Sequence, residues 1–234
     1  MKARFVGLLA TALPAFAPVA ASAQDSAMPG TFTGNVAIVS DYVFRGITQS
    51  NQDPAIQGGL DWDSGAGIYF GTWASSIEFG NDASSEIDLY GGYRGAINNF
   101  TYDVGFLYYL YPSTSAAGLD FWEVYGKAGY NFGAASVTFG INYTPDNTGP
   151  VNNDQGVYYS GVISAPIGEM FSVSGGLGYS ALEGAPNYKD WNLGATLNVP
   201  SWFSLDARYY DTDYESVLGT LADERFVFKI SRTF

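Results

Sequence analysis

The sequence predicts an all-β fold, a transmembrane antiparallel up-and-down β-barrel of about twelve strands. Three observations carry this prediction. About a dozen segments of roughly ten residues alternate apolar and polar side chains. The chain opens with an export signal, and no later segment contains the roughly 20 consecutive apolar residues of a membrane helix. The last segment alternates in the same way and ends on Phe234. A chain that crosses a membrane without helices must close its sheet, because every backbone polar group needs a partner.

Residues 1–23 have the pattern of a cleaved signal peptide. Lys2 and Arg4 precede an apolar stretch, and Ala21-Ser22-Ala23 is a small-residue cleavage site. The pattern predicts Sec-type export, and together with the barrel it predicts the outer membrane of a Gram-negative bacterium. Residues 24–234 are then one domain, the outer-membrane β-barrel.

The connections between the predicted strands are alternately long and short. This is expected when one rim of a barrel faces the outside and the other faces the periplasm. A soluble β-sandwich, the alternative for alternating strands, has no reason to keep such a pattern. An even number of strands places both termini at one rim, which we expect to be periplasmic. The twelve predicted strands are 32–47, 54–63, 67–77, 86–97, 100–110, 120–132, 135–144, 156–165, 170–180, 190–199, 202–210 and 224–234.

The composition excludes several classes of function. The chain contains no histidine and no cysteine, so histidine-based triads, Cys–His pairs and thiolate metal sites are excluded. We therefore predict no enzyme activity, no cofactor and no metal site. Two of the ten basic residues lie in the signal, so residues 24–234 carry eight basic and 23 acidic side chains. Such an acidic chain is not expected to bind nucleic acid. The 18 Tyr, 16 Phe and 5 Trp fit a soluble β core, or, near strand ends, the aromatic girdles of a membrane barrel.

A period of two assigns most strand charges to the inside of the barrel. A lipid-facing Arg or Lys near mid-bilayer would cost about 2–4 kcal/mol, which favours the same assignment. On the first strand this phase puts Tyr42 and Phe44 on the lipid face. Arg232 is the exception, since it lies in the apolar phase near the chain end, where snorkelling reduces its cost. The candidate pore-lining residues are Asp41, Arg45, Asp61, Asp88, Arg94, Asp103, Glu123, Lys127, Asp206 and Arg208.

Two interpretations of these charges stay open. They could pair across the lumen and hold the barrel closed, or they could form an electrostatic ladder that guides a charged solute. Inward glycines leave space in the lumen, and inward tyrosines and Trp73 occupy it again. The outer connections are acidic, which fits either simple solvation with divalent-ion contacts at a lipopolysaccharide surface or a mouth that attracts cations.

The stretch Ser40-Asp41-Tyr42-Val43-Phe44-Arg45-Gly46-Ile47-Thr48-Gln49-Ser50 resembles the opening motif of the TorF-type porin family of bacterial outer-membrane proteins. The resemblance continues, in order, over most of the remaining chain. Its further motifs lie at 54–61, 71–75, 86–93, 102–105 and 109–112. The resemblance implies an outer-membrane β-barrel and a pore. It implies no substrate, because the family has none firmly assigned.

Two functions from different classes follow as hypotheses. The first is a porin-like channel for passive diffusion of small polar or charged solutes, weakly favouring cations. The second is a non-conducting structural or surface-interaction barrel whose lumen is filled by side chains. The expected partners are outer-membrane lipid, lipopolysaccharide and, for the channel, small polar solutes. No feature of the sequence identifies an oligomeric interface.

Overall fold

A computed structural model of the chain describes residues 30–112, 119–146 and 154–234. The predicted signal peptide, residues 1–23, lies outside the described residues. The described residues form fourteen strands and two short helical turns. The strands are β1 (Thr31–Val39), β2 (Val43–Phe44), β3 (Ile47–Thr48), β4 (Ala55–Asp63), β5 (Ile68–Ser76), β6 (Ser85–Ile97), β7 (Phe100–Leu110), β8 (Phe121–Asn131), β9 (Ser136–Thr144), β10 (Gly156–Ile167), β11 (Phe171–Leu182), β12 (Tyr188–Val199), β13 (Phe203–Thr212) and β14 (Arg225–Thr233).

Twelve of these strands form a closed antiparallel barrel, which confirms the predicted fold class. From β4 to β14 each strand pairs with its neighbours in sequence, and β1 closes the barrel between β4 and β14. The closing register pairs Asn35 with Thr233 on one side and Val39 with Ala55 on the other. Closure leaves the barrel with no free sheet edge, so each of its twelve strands has a partner on both sides. The remaining two strands, β2 and β3, pair only with each other.

The predicted first strand, 32–47, is wrong after residue 39. The chain leaves the barrel wall there, and residues 40–54, which we call the inner segment, fold into the lumen. Ser40 ends the strand, because its hydroxyl replaces a backbone carbonyl as the acceptor of the Phe228 amide. The β2–β3 turn has left-handed backbone at Arg45 and Gly46, with φ of 49° and 82°. Positive φ at both central residues is what a tight two-residue hairpin requires.

Tyr42 and Phe44 therefore do not face lipid, as their phase predicted. They are 5% and 0% exposed inside the barrel. The predicted polar loop after the first strand is also partly wrong, because Thr48, Gln49 and Ser50 are buried. The physical reason is that both faces of the inner segment meet the lumen wall. The alternation of apolar and polar side chains in this stretch therefore does not distinguish a lipid-facing side from a lumen-facing side.

The short turns, the start of β1 and the end of β14 lie at one rim of the barrel. Five turns of two to four residues connect β4–β5, β6–β7, β8–β9, β10–β11 and β12–β13. Each contains a residue with positive φ: Gly65, Asn98, Gly133, Gly168 and Ser201. The longer connections lie at the opposite rim, as the sequence predicted. Backbone bonds between Gly34 and Phe234 place the start of β1 and the end of β14 together at the short-turn rim.

The outer surface of the barrel is apolar. Outward side chains such as Leu177, Leu193 and Phe139 are 71%, 67% and 66% exposed. Aromatic side chains ring both ends of the strands, which is the arrangement of interfacial girdles. Arg232 lies on this face beside Val36, close to the short-turn rim. Outward aromatics include Phe32, Trp62, Phe70, Phe100, Tyr130 and Trp202 towards the short-turn rim, and Trp122, Tyr143, Tyr159, Tyr179, Tyr209 and Phe226 towards the other.

The helical turn α1 (Glu215–Leu218) and the 3-10 turn Gly219–Ala222 lie in the connection between β13 and β14. Ala222 and Tyr214 pack there against Ile47 of the inner segment and Tyr188 of β12. No helix in the described ranges has the length and apolarity needed to cross a membrane.

Candidate functional site: the barrel lumen

All ten sequence-predicted candidates lie inside the barrel. Eight are on the strands that the phase assigned them to. Asp41 and Arg45 are inside as well, but on the inner segment rather than on a wall strand. That these side chains line a conducting path stays a prediction.

Five further charged side chains face the lumen. The polar phase of the last strand predicts this for Lys229, and four were missed: Asp63, Glu86, Asp190 and Arg225. Each lies at or near the end of its strand, where boundaries are least certain. The signal was present for Glu86, which shares the phase of Asp88, and for Arg225, which shares the phase of Lys229. Among the described residues, nine carboxylates and six basic side chains face inward: Asp41, Asp61, Asp63, Glu86, Asp88, Asp103, Glu123, Asp190 and Asp206, with Arg45, Arg94, Lys127, Arg208, Arg225 and Lys229.

Arg45 fixes the tip of the inner segment against the wall. Its Nη2 atom lies 2.8 Å and 3.0 Å from the two carboxylate oxygens of Glu123 on β8. Its guanidinium also lies 4.2 Å from the ring centroid of Tyr158 on β10. Glu123 is further bonded by the Asn142 amide at 2.8 Å and the Tyr109 hydroxyl at 3.3 Å. Burial opposes the positive charge, but the Glu123 carboxylate outweighs it and holds the pKa of Arg45 above its ordinary value.

Gly46, next to this pair, lies against the opposite wall. A Cβ atom there would sit 2.8 Å from Cβ of Thr212 and 2.9 Å from Cβ of Asp190. Both distances are too short for a side chain, and the φ of 82° disfavours one independently. The β2–β3 turn therefore crosses the lumen, from Glu123 on β8 to Thr212 on β13 and Asp190 on β12.

Two more carboxylates anchor the inner segment. Asp41 accepts hydrogen bonds from Thr48 at 2.5 Å and from Ser50 at 3.0 Å, and it pairs with Arg225 of β14 at 2.8 Å. These contacts hold the segment folded on itself and tie it to the wall. On the other side, the Tyr42 hydroxyl donates to Glu86 of β6 at 2.7 Å.

A buried apolar core fills the lumen at the long-connection end. The inner segment contributes Tyr42, Val43 and Phe44, and the β5–β6 connection contributes Ile77, Phe79 and Ala83. These side chains pack on wall residues that include Leu107, Tyr109 and Phe121. The two connections are also joined directly, since the Glu78 amide donates to the Gln49 carbonyl at 2.8 Å. Apolar side chains therefore occupy the lumen at this end.

Two inward tyrosines, Tyr69 and Tyr125, each lie over a glycine of the neighbouring strand. Tyr69 of β5 is paired in register with Gly92, and a Cβ at Gly92 would lie 2.6 Å from its hydroxyl. Tyr125 of β8 covers Gly105 in the same way, at 2.5 Å. Glycine is needed here because the ring occupies the volume of the missing side chain. At these two places the tyrosine ring fills the space that the glycine leaves in the lumen wall.

Towards the short-turn rim the lumen is polar. On one wall Arg94 pairs with Asp63 at 2.5 Å, and its guanidinium lies 4.6 Å from the ring centroid of Tyr69. The Tyr69 hydroxyl bonds to Asp103 at 2.6 Å and also to the Tyr125 hydroxyl. Both members of the Arg94–Asp63 pair are about one-third exposed, at 37% and 33%. Water therefore reaches this half of the lumen.

The facing wall carries a second polar cluster, centred on Arg208 of β13. Its guanidinium bonds to Asp206 at 3.1 Å, to the Asn192 side chain at 2.8 Å and to the Ser174 hydroxyl at 2.9 Å. Lys229 of β14 is the register partner of Asp206. Charges in this half of the lumen pair along one wall rather than across it. Among the described residues, the inner segment forms two ion pairs with the wall, Arg45 with Glu123 and Asp41 with Arg225.

Within the described ranges, no group of three or more acidic side chains is arranged so that it could hold a metal ion. The chemistry that the lumen offers is that of charge, hydrogen bonding and aromatic surface.

A closed antiparallel barrel with an apolar exterior and a polar, charged interior defines a membrane β-barrel protein. Within that class the chain belongs to a bacterial protein family of unknown function, Gcw_chp, whose model matches residues 23–234. The resemblance to TorF-type porins is not confirmed by this match. No curated protein sequence matches the chain.

Several solved structures are similar in fold. The KdgM porin aligns with a TM-score of 0.60 at 9% identity, over 86% of this chain and 98% of the porin. The KdgM porin in complex with disordered oligogalacturonate aligns with a TM-score of 0.59 at 8% identity, over 87% of this chain and 98% of the porin. The NanC porin aligns with a TM-score of 0.59 at 11% identity, over 87% of this chain and 98% of the porin. At such identities the similarity shows a shared fold.

Proposed function

We propose that this protein is a porin-like channel of the bacterial outer membrane, through which small polar or charged solutes diffuse passively. The observation that carries the proposal is the combination of an apolar outer wall with a charged lumen that water reaches from the short-turn rim. A barrel with no transport role could fill its interior with apolar side chains, whereas this one places fifteen ionisable groups there. The porin structures of the same fold, one of them in complex with oligogalacturonate, support the proposal by analogy.

We further propose that the channel weakly favours cations and that the inner segment sets its width. Nine inward carboxylates against six inward basic groups give the lumen a negative balance. A narrow passage with one excess sign of charge raises the local concentration of the opposite ion. The termini and short turns face the periplasm in this proposal, and the acidic long connections face outwards, towards lipopolysaccharide. That the chain is not an enzyme stays a prediction from its lack of histidine.

Planar-bilayer recording of the purified protein tests this proposal. The expected result is discrete conductance steps, with a reversal potential in a salt gradient that indicates cation preference. That preference should weaken at high salt, because mobile ions screen the lumen charges. A folded preparation that gives no steps, or a clear anion preference, would refute the channel or its selectivity respectively.

The second candidate is a non-conducting structural barrel, and one observation favours it. The apolar core around the inner segment buries Phe44 completely and Tyr42 to 5% exposure at one end of the lumen. If this core admits no ions, deletion of the gene should leave solute uptake unchanged and weaken the envelope. Recording from a variant that lacks residues 40–54 separates the two, since a plugged barrel would conduct only after the deletion.

A further inference from the structure

A buried carboxylate without a partner lies in the lumen wall beside the inner segment. Asp88 of β6 faces inward and is 4% exposed. Its Oδ1 atom has no hydrogen-bond partner among the described residues. Buried carboxylates are almost always paired or hydrogen-bonded, because an isolated charge in such a place is costly. Such a carboxyl either takes up a proton or binds an occupant that supplies positive charge.

The groups around Asp88 do not supply that charge. Its nearest interacting charges are Glu86 and Glu123, both negative. Glu86 is satisfied by the hydroxyls of Tyr42 and Tyr111, at 2.7 Å and 2.6 Å. Glu123 already holds Arg45. Of these three buried carboxylates, only Glu123 forms an ion pair among the described residues.

A second carboxylate oxygen with no hydrogen-bond partner in the described part of the chain lies two strands away from Asp88 in the barrel wall. Asp61 of β4 accepts the Tyr90 hydroxyl on Oδ1 at 2.7 Å, while its Oδ2 is buried with no hydrogen-bond partner among the described residues. Tyr90 is two residues from Asp88 on β6, and both carboxylates act electrostatically on its hydroxyl. Asp61 and Asp88 therefore flank the same stretch of wall.

An aromatic surface completes the site. Trp73 of β5 is the direct cross-strand partner of Asp88. Directly opposed side chains on one face of a sheet start about 4.5–5.5 Å apart at Cβ. Tyr42 of the inner segment closes over the indole edge-on, with 5.4 Å between ring centroids. Indole rings attract cations more strongly than other aromatic side chains.

We propose that Asp88, Asp61 and Trp73 bind a small organic ammonium ion inside the barrel, next to the inner segment. Hard metal cations need about six or more oxygen ligands, and the described residues offer no such cluster. Two carboxylates beside an indole suit an alkylammonium group, which takes hydrogen-bond acceptors on its N–H side and aromatic surface on its alkyl side. The site deepens the proposed channel function, on which it rests, by naming a class of solute.

Tryptophan fluorescence can detect this binding without any conductance measurement. Of the five tryptophans, only Trp73 faces the lumen, while Trp62, Trp122, Trp191 and Trp202 lie on the outer surface or in a turn. Folded protein in detergent is titrated with ethylammonium chloride, with sodium chloride keeping the ionic strength constant. We expect a saturable fluorescence change in the wild type, an apparent affinity at least tenfold weaker in Asp88→Asn, and no change in Trp73→Phe.

Two further variants make the test specific. Asp206→Asn removes a lumen charge that is already paired with Arg208, so it should keep the wild-type curve. Asp61→Asn should weaken binding by a smaller factor than Asp88→Asn. The site is refuted if Asp88→Asn binds like the wild type, if Asp206→Asn weakens binding equally, or if sodium alone gives the same saturable change. Because Asp88→Asn removes a buried unpaired charge at constant volume, it should fold, and Asp61→Asn tests the site independently.

Bilayer recording then separates the site from the channel. Conductance steps without ethylammonium binding would overturn this inference and leave the channel standing. Binding without conductance would overturn the channel and leave the site.

Discussion

Loss of the Arg45 guanidinium should destabilise the barrel and loosen its inner segment. The Arg45 and Glu123 side chains are 9% and 1% exposed, so the pair is buried. The variant Arg45→Met keeps the length of the side chain but leaves Glu123 with only the Asn142 amide and the Tyr109 hydroxyl. Breaking a buried ion pair from one side costs about 3–5 kcal/mol. We expect a loss of that size in urea unfolding of the protein in lipid vesicles, followed by tryptophan fluorescence.

The double variant Arg45→Met/Glu123→Gln also removes the carboxylate charge that Arg45→Met leaves unpaired. It should recover most of the lost stability, because a neutral amide in place of Glu123 costs much less to bury. Arg94→Met is the matched control, since the Arg94–Asp63 pair is about one-third exposed and should contribute less than about 1 kcal/mol.

The same variants test the role of the inner segment in conduction. In bilayers Arg45→Met should raise the single-channel conductance at least twofold, because the tip of the β2–β3 turn is no longer held against β8. Arg94→Met should change the single-channel conductance less than twofold relative to the wild type. The reasoning is refuted if Arg45→Met unfolds within about 1 kcal/mol of the wild type, or if the double variant is less stable than the single one.

Two further predictions concern the wall. Gly105→Ala should cost about 1–3 kcal/mol, because its Cβ would lie 2.5 Å from the Tyr125 hydroxyl and 2.8 Å from a backbone carbonyl. Gly126→Ala, whose Cβ would meet nothing closer than 4.0 Å, is its control, and equal urea midpoints for the two would contradict the tyrosine–glycine pairing. Leu193→Arg, at an outward position 67% exposed, should cost about 2–4 kcal/mol in vesicles, whereas Arg232→Leu near the rim should change stability by at most about 1 kcal/mol. Similar values for the two exchanges in vesicle unfolding would show that this face does not meet lipid.

Eleven of the twelve barrel strands could be predicted from the sequence to within two residues at each end. Their alternation is informative because each has lipid on one side and polar lumen on the other, so phase and environment agree. The first strand fails because this condition ends at Val39. Its predicted length of 16 residues also exceeded the roughly 9–11 that a membrane strand needs, and that excess was the available signal. Gly46, just inside the predicted end, marks the turn that the alternation concealed.

Phase predicts which charged side chains face inward, but it does not predict which of them meet. Asp61 and Arg94 were both candidates, yet Arg94 pairs with Asp63, which was not. Partner choice depends on the register between strands and on side-chain reach, and neither can be obtained from one strand alone. The same limit applies to the inward glycines and tyrosines. The sequence predicted only that glycines leave space in the lumen and that tyrosines occupy it. The register between strands shows that Tyr69 lies opposite Gly92 and Tyr125 opposite Gly105.

The inner segment is held by strands distributed around the whole barrel. Glu86 on β6, Glu123 on β8, Tyr158 on β10 and Arg225 on β14 all contact it through charged or hydroxyl groups. A segment with so many separate anchors is not released by the loss of one. Arg45→Met should therefore widen the passage without emptying it, and its conductance should stay below that of the variant without residues 40–54. The motif in which the resemblance to porins begins, residues 40–50, thus folds inside the lumen and is not a strand of its wall.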